Sequence, residues 1–170
     1  DAAASDLSLG NLVSGENISL SGTGTLGSAA VGSQTITNIG SLAISDGSSS
    51  ASNYSLTGAL SMAITKRPVT VTGSKFYDGT TNAAASNLTS FTNLVSGETL
   101  SLSGNGSVAS SAVGSNKSVS HQTLALANGS GAASNYSLGN VTININKRIL
   151  SLDGIRAVSY THLTLPTTTI

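Results

Sequence analysis

The residues that could do chemistry in this chain are few and lie far apart. His121 is one of two histidines, and seven Asp and Glu residues are spread over 170 positions. A serine hydrolase needs a histidine and a carboxylate held within reach of the serine, and a glycosidase needs two facing carboxylates. No Gly-x-Ser-x-Gly motif marks a nucleophile. We therefore expect no enzyme activity and no catalytic residues.

Metal and cofactor binding are also disfavoured by the residue types present. The chain has no cysteine, which removes disulfides and thiolate zinc sites together. Calcium-clamped repeat modules carry acidic residues at their joints, whereas Lys66-Arg67 and Lys147-Arg148 end the repeats described below. We expect no metal site, no cofactor-binding residue and no cofactor.

The overall composition excludes several classes of partner. Half of the residues are Ser, Thr, Asn or Gly, only 8% are charged, and the formal net charge is zero. An ordinary soluble domain carries about 25% charged residues, so this surface is built from hydroxyl and amide groups. A neutral surface offers no electrostatic footprint for nucleic acid, and no stretch approaches the roughly 18 apolar residues of a membrane span. We expect neither nucleic-acid binding nor direct membrane insertion.

The elements that must position any site are strands. Apolar residues recur at every second position, as in Val69 and Val71 or Leu100 and Leu102, and turn-forming pairs such as Asp46-Gly47 separate these runs. The pattern predicts an all-β protein without helices, built as antiparallel β-sandwich modules of an Ig-like or similar kind. The alternative is a β-helix or solenoid, which needs a rung repeat of roughly 20 to 30 residues.

A long internal repeat organises the chain. Residues 11–56 match residues 93–138 without a gap, with 26 identities over 46 positions. Pro68 suits the first residue of a strand, because proline lacks the N–H needed inside a sheet. We therefore predict a module over 1–67 that lacks its first strand and a complete module over 68–148. The opening strand of a further module is then expected over 149–157.

The last residues break the repeat. The segment from Val158 to Thr167 closely resembles the in-frame translation of a transposase-end adapter used in sequencing-library preparation. We expect residues 158–170 to be a non-native tail. The gene would then have been read from a fragment, from mixed environmental DNA, and the natural protein would be longer.

The repeat carries an ordered set of motifs. Lys-Phe-Tyr-Asp-Gly-Thr-Thr at 75–81 is followed by Leu-Val-Ser-Gly-Glu at 94–98, Ala-Val-Gly-Ser at 112–115 and Ala-Ser-Asn-Tyr-Ser-Leu at 133–138. This order resembles the YDG-type repeats of filamentous haemagglutinin-like bacterial surface proteins, although such repeats often have Gly-Asp where this chain has Gly97-Glu98. The resemblance implies tandem modules of a large secreted exoprotein on the surface of a Gram-negative cell. It implies a non-catalytic stalk or spacer in cell adhesion.

The same resemblance suggests the partners. Neighbouring modules of the same chain come first, and host or extracellular glycans and proteins come second. In the second case, exposed Tyr and Asn side chains of a module would bind the ligand, because a tyrosine ring stacks on a sugar while an amide holds its hydroxyls.

The best-marked side chains have a structural and a ligand-binding interpretation. A tyrosine of Asn-Tyr-Ser could stack on a sugar, or its ring could lie in the core while its hydroxyl caps a turn, as in the tyrosine corner of sandwiches. Asp78 is expected to accept a backbone N–H in an Asx-turn, and Glu16 and Glu98 to accept local backbone hydrogen bonds. The repeat-motif residues, structural or part of a ligand face, are Phe76, Tyr77, Asp78, Gly79, Asn53, Tyr54, Asn135 and Tyr136.

Overall fold

The computed structural model describes residues 1–57 and 60–152. Within them the chain forms fourteen strands and four single-turn 3-10 helices. The strands are β1 Ala2–Ala3, β2 Ile18–Ser21, β3 Thr23–Leu26, β4 Gly32–Asn38, β5 Ala43–Asp46, β6 Ser61–Ile64, β7 Arg67–Phe76, β8 Asn82–Ala84, β9 Ser90–Thr92, β10 Leu100–Ser103, β11 Asn105–Val108, β12 Gly114–Ser120, β13 Ala125–Asn128 and β14 Tyr136–Asn146. The 3-10 helices are Ala4–Asp6, Ala51–Asn53, Ala85–Asn87 and Ala133–Asn135. No helix in this part of the chain is long and apolar enough to cross a bilayer.

Strand pairing divides these elements into two copies of one plan. In the first copy, residues 2–64, a sheet of order β1-β3-β4-β6 accompanies the pair β2-β5. In the second copy, residues 67–146, a sheet of order β8-β11-β12-β14-β7-β9 accompanies the pair β10-β13. The domain limits read from the sequence stay a prediction. Residues 149–152 form no strand, and residues 153–170, which hold the expected non-native tail, lie outside the described residues.

The core of the second copy lies between its two sheets. Val71, Leu88, Val141 and Ile143 are fully buried at positions that alternate along their strands or follow a 3-10 turn. A second cluster joins the β10-β13 pair to the larger sheet, where Leu100 of β10 packs with Val69 of β7 and Tyr136 of β14. Alternating apolar side chains drive this layering, because each strand buries one face. The all-β, sandwich-like class is confirmed, and its hairpin pairings differ from the stacked parallel rungs of a β-helix.

One pairing differs from a purely antiparallel sandwich. β7 and β14, the first and last strands of the second copy, lie side by side and run parallel, from the pair Arg67–Tyr136 to the pair Phe76–Asn146. Parallel neighbours cannot be joined by a tight hairpin, so most of the module is needed to connect them. The chain consequently enters the module at one end and leaves it at the other.

Candidate functional site

The Tyr-Asp-Gly loop that follows β7 is held by a buried lysine. Lys75 has a side chain only 5% exposed, and its ammonium Nζ donates to Asp78 Oδ1 at 3.0 Å. It also donates to the backbone carbonyl oxygens of Thr80 at 3.0 Å and Asn82 at 2.7 Å. A buried ammonium is tolerable only when it is paired and hydrogen-bonded, and here its three protons have enough acceptors. The loop is therefore fixed from inside.

Asp78 closes the same loop on itself. Its Oδ1 accepts the backbone N–H of Thr80 and the hydroxyl of Thr80, both at 2.9 Å, which is the geometry of an Asx-turn. The Thr80 N–H and then the Lys75 ammonium lower the pKa of Asp78 from 3.8 to about 2, because both stabilise the charged carboxylate. Gly79 supplies the positive φ of 79° that the turn requires. The carboxylate is a structural group, charged at neutral pH.

This depressed pKa predicts a pH dependence of stability. A carboxyl whose folded pKa lies below its unfolded value stabilises the fold fully above about pH 4, and that contribution is lost as the pH falls towards 2. The substitution Asp78→Asn keeps an oxygen for the Thr80 N–H but removes the charge. We expect the difference in urea midpoint between wild type and Asp78→Asn to be largest at pH 5 to 7 and to shrink by pH 2. A difference independent of pH would contradict the assignment.

The two aromatic residues of this loop point outward. Phe76, the last residue of β7, is 63% exposed, and Tyr77, the residue after it, is 42% exposed. The Tyr77 backbone N–H donates to the Asn146 carbonyl oxygen at 2.8 Å, which attaches the loop to the end of β14. Phe76 also lines a shallow pocket with Arg148 and Ile149, at the place where the chain leaves the module. The exposed rings therefore lie at the exit end of the second copy.

The tyrosine of each Asn-Tyr-Ser motif fastens the Leu-Val-Ser-Gly-Glu turn. The Tyr136 hydroxyl donates to Glu98 Oε2 and accepts the Val95 backbone N–H at 3.2 Å. The first copy repeats the arrangement, with Tyr54 bonded to Glu16. The hydrogen bond that the Tyr136 hydroxyl donates to Glu98 raises the pKa of Tyr136 above its ordinary value of 10.0, because the bond stabilises the protonated phenol. We expected the side chains of Glu16 and Glu98 to accept local backbone N–H groups. In these bonds each carboxylate instead accepts a tyrosine hydroxyl from 38 positions away.

Burial decides what these tyrosines can present. Tyr136 is only 3% exposed and packs with Val69 and Leu100, so its ring offers no face to a sugar. Tyr54 is half-buried, because the described residues of the first copy contain no equivalent of β7 to cover it. The ligand-face interpretation is therefore excluded for Tyr136. Its ring lies in the core as the structural interpretation expects, but its hydroxyl holds a turn 41 positions earlier in the sequence, not the adjacent backbone of a tyrosine corner.

The two tyrosines form a matched pair for mutation. We expect Tyr136→Phe to lower the melting temperature by roughly 4 to 8 °C, because the backbone N–H of Val95 and the carboxylate of Glu98 lose the partner that they share in a part-buried site. The same change at half-buried Tyr54 should cost less than half as much, since water can replace the hydroxyl. Thermal unfolding followed by circular dichroism checks both, and equal effects at the two sites would contradict the role of burial.

Asn135 joins the two copies. Its Oδ1 accepts the backbone N–H of Val31 at 3.1 Å, across 104 positions of sequence. Around this bond Ala29 and Ile64 of the first copy face the start of the second. The equivalent asparagine of the first copy, Asn53, is exposed, whereas Asn135 is half-buried. Asn135 therefore links the two copies, whereas Asn53 makes no such link within the described residues.

Sequence reasoning missed two positioning residues. Lys75 lies in a recognised motif, yet its role was not predicted from the sequence. Its spacing from Val69 and Val71 could have indicated burial, because residues an even number of positions apart share the inward face of β7. Arg67 was assigned only to the joint. Its guanidinium donates to the carbonyl oxygen of Asn93 at 2.8 Å and to Asn93 Oδ1 at 3.0 Å. Asn93 has a φ of 67°, a value that asparagine tolerates better than most residues, and its counterpart Asn11 has a φ of 60°.

The remaining chemical candidate, His121, lies apart from the groups described above. It is exposed in the turn after β12, and its carbonyl oxygen accepts the Leu124 N–H at 2.6 Å. Across residues 1–57 and 60–152 no three His, Cys, Asp or Glu side chains gather as a metal site would require. The polar contacts described above instead fix loops, through Lys75 and Tyr136, and link the two copies, through Asn135.

Taken together, the fold and these contacts define a tandem, all-β repeat protein whose loops are fixed by buried polar side chains. Comparison with protein families matches residues 64–144 to the YDG domain, so this part of the chain is identified as a YDG domain. Neither a search of curated proteins nor a search of solved structures gave a significant match.

Proposed function

We propose that the chain is a non-catalytic spacer from a large secreted surface protein of a Gram-negative bacterium, of the filamentous haemagglutinin-like kind. In this role the YDG modules form a stalk in cell adhesion, and their first partners are their neighbours in the chain. Both copies act as such modules. The proposal rests above all on one observation, the direct hydrogen bond between Val31 of one copy and Asn135 of the next.

The parallel end strands support a linear array. Because β7 and β14 run in the same direction, a module passes the chain from one end to the other over the length of β14. Eleven residues of strand span about 36 Å. Only Thr65 and Lys66 separate β6 of the first copy from β7 of the second. Such a short connection leaves little freedom between neighbours, so length grows with copy number.

The joint is of a kind that can be repeated. Each copy carries a valine on one end and an asparagine on the other, so the interface is head-to-tail and does not close. Val31 is half-buried where it meets Asn135, whereas its counterpart Val113 is 46% exposed. Asn53, the counterpart of Asn135, is likewise exposed. Preceding and following modules would occupy these two free halves.

The joint gives a mutational prediction. We expect Asn135→Ala to leave the secondary structure unchanged but to loosen the angle between the copies, because the Val31 N–H then has only water as a partner. Small-angle scattering should show a broader distribution of distances for the variant. Asn53→Ala is the matched control, since the exposed Asn53 joins no other copy among the described residues. Identical scattering of Asn135→Ala and wild type would contradict the joint.

The secretion and surface part of the proposal is tested on the uncut gene. The reading frame that contains this sequence is expected to carry further copies of the repeat and an N-terminal secretion region. A short frame that joins this repeat to a cytoplasmic domain would overturn the proposal.

A second function is favoured by the exposed aromatic pair. Phe76 ends β7, and Tyr77 begins the loop that Lys75 fixes through Asp78; exposed aromatic side chains on a fixed backbone bind at low entropic cost. We propose binding of extracellular glycans or host proteins at this loop as the alternative role. A glycan array probed with the chain and with Phe76→Ala/Tyr77→Ala tests it. Binding that the double variant retains, or no binding at all, would remove this role.

A further inference from the structure

The second copy has a polar cleft beside the outer face of its larger sheet. Residues of β7, β12 and β14 and of the segment 86–90 line this cleft, which has a volume of about 450 Å³. Small-molecule sites in proteins measure roughly 300 to 1,000 Å³, so the polar cleft is large enough to hold a ligand. Its main lining residues are Thr72, Asn87, Ser90, Asn116, Thr142 and Asn144.

The strand register places hydroxyl groups in a row across the floor of the polar cleft. Paired residues from β12 through β14 and β7 to β9 are Ser118, Thr142, Thr72 and Ser90. Residues paired in this way point to the same face of a sheet, and this face is opposite to that of the buried Val71. Because neighbouring strands lie about 4.8 Å apart, the hydroxyl groups recur at about that spacing.

A β-bulge fixes an amide group at one side of the polar cleft. Between Gly114 and Lys117, β12 has one residue more than the facing part of β14. Asn116 of this bulge has a φ of 50°, and its backbone N–H donates to Asn144 Oδ1 at 2.7 Å. The Asn144 side chain is therefore positioned before any ligand arrives, which lowers the entropic cost of binding. Bulges and uncommon backbone angles occur often beside functional sites.

The lining chemistry favours an uncharged ligand that is rich in hydroxyl groups. Every described residue that lines the polar cleft is Ser, Thr, Asn or Gly. The cleft therefore offers neither a counter-charge for an ionic ligand nor an aliphatic surface for a lipid. Hydroxyl groups both donate and accept hydrogen bonds, and each amide group offers two donors and an acceptor. The hydroxyl groups of a neutral sugar match these donors and acceptors.

An exposed aromatic ring continues the same face of β7. Phe76 follows Ser74, which also lines the polar cleft, by two residues and therefore lies on the same face, about 7 Å further along the strand. Phe76 is 63% exposed, and its partner in β14, Asn146, is exposed as well. A ring at this place can stack on one sugar unit while the next unit forms hydrogen bonds in the cleft.

We infer that the polar cleft binds an uncharged oligosaccharide. One sugar unit forms hydrogen bonds with Thr72, Thr142 and Asn144, and a neighbouring unit stacks on Phe76. The inference deepens the alternative role proposed above, on which it rests for a glycan as the ligand, by naming the class of glycan and the residues that bind it.

Nuclear magnetic resonance of the full 170-residue chain tests the inference. The probes are neutral hexasaccharides of glucose, mannose, galactose and N-acetylglucosamine, each at up to about 10 mM, because an open hydrogen-bonding site binds with a Kd near a millimolar. At least one probe is expected to shift the backbone amide signals of Ser74, Asn116 and Asn144. Since the cleft is uncharged, its affinity should be the same at low salt and in about 0.5 M NaCl.

Two pairs of threonines on the same face provide a variant and its matched control. Thr72→Val/Thr142→Val removes two hydroxyl groups of the cleft and keeps β-branched side chains that suit a strand. It is expected to weaken binding at least about tenfold, because two hydrogen bonds to the sugar are lost. Thr70→Val/Thr92→Val changes a neighbouring pair outside the cleft and should bind as wild type does. Circular dichroism, expected to match wild type, verifies the fold of each variant.

The possible failures separate the inference from the role on which it rests. No shift with any hexasaccharide would overturn both. Wild-type affinity of Thr72→Val/Thr142→Val would overturn the cleft, and a loss in Phe76→Ala/Tyr77→Ala would then leave binding at the loop alone. An equal loss in the two threonine variants would place the sugar on the sheet in general and would also contradict the inference. Losses in the cleft variant and the aromatic variant, with the control unchanged, are the expected result.

Discussion

Gly73→Ala is expected to destabilise the second copy by about 3 kcal/mol, the upper end of the usual cost of overpacking. The added Cβ would lie 1.8 Å from the Asn87 carbonyl oxygen and 2.7 Å from its carbon. Both are backbone atoms, so no side-chain rotation relieves the overlap. β7 lies between β14 and β9, so it cannot move away without breaking pairing on one side.

The control for this change is another glycine to alanine substitution. A Cβ added at Gly10 would have no heavy atom within 4 Å, and the backbone there has no positive φ. Gly10→Ala should therefore change stability by no more than a few tenths of a kcal/mol. Urea unfolding followed by circular dichroism measures both variants. Similar midpoints for Gly73→Ala and Gly10→Ala would show that β7 does not pass the 3-10 turn this closely.

Lys75→Met is expected to cost about 2 to 3 kcal/mol. Methionine preserves the unbranched, buried stem, so the loss comes from the ammonium. Without it, the carbonyl oxygens of Thr80 and Asn82 lose their donor, and Asp78 loses its counter-charge. The figure is below that for a fully buried ion pair, because the Asp78 side chain is 45% exposed and water can reach it.

The matched control is the other lysine with a bond inside the same copy. Lys117 is half-buried, and its Nζ donates to the Ser110 carbonyl oxygen at 3.0 Å. Lys117→Met should cost less than about 1 kcal/mol. Urea midpoints compare the two variants, and amide hydrogen exchange at Tyr77 and Thr80 should speed up only in Lys75→Met. An equal loss of unfolding free energy in Lys75→Met and Lys117→Met would contradict the claim that the buried Lys75 ammonium stabilises the loop.

The sequence was informative about the class of element and about the repeat. Alternation at Val69 and Val71 predicts a strand, because side chains on one face of a sheet recur at every second residue. It does not predict which strand lies beside β7 or in which direction. The parallel β7-β14 pair depends on contacts between residues about 70 positions apart, and nothing local to either strand encodes them.

The gap-free alignment of residues 11–56 with 93–138 also fails to show which residues of β4 and β12 occupy equivalent positions in the two sheets. Ile36 and Val119 are both buried, although the 82-residue displacement equates Ile36 with Ser118. The structure explains this difference because each copy has one extra residue in this strand, inserted at a different position. β4 is irregular opposite β3, whereas β12 is irregular opposite β14 near Asn116, which has a φ of 50°. A β-bulge shifts every later side chain to the other face, and sequence identity does not reveal its position.

The candidate site was predicted in part for the same reasons. Asp78-Gly79 is a local turn signal, and its Asx-turn needs only residues 78 to 80. The bond between Tyr136 and Glu98, and the one between Asn135 and Val31, join residues 38 and 104 positions apart. Such partners depend on how the sheets stack, which the residue types alone do not determine.

Scattering from chains of increasing length tests the central claim, that docked modules form a stiff spacer, most directly. One, two and three further copies of residues 67–147 would be joined after Lys147, and the maximum dimension measured for each chain. Stiff joints should add a constant increment of about 35 to 40 Å per copy, close to the length of β14. An increment that falls with each added copy, as in a flexible string of beads, would contradict the account.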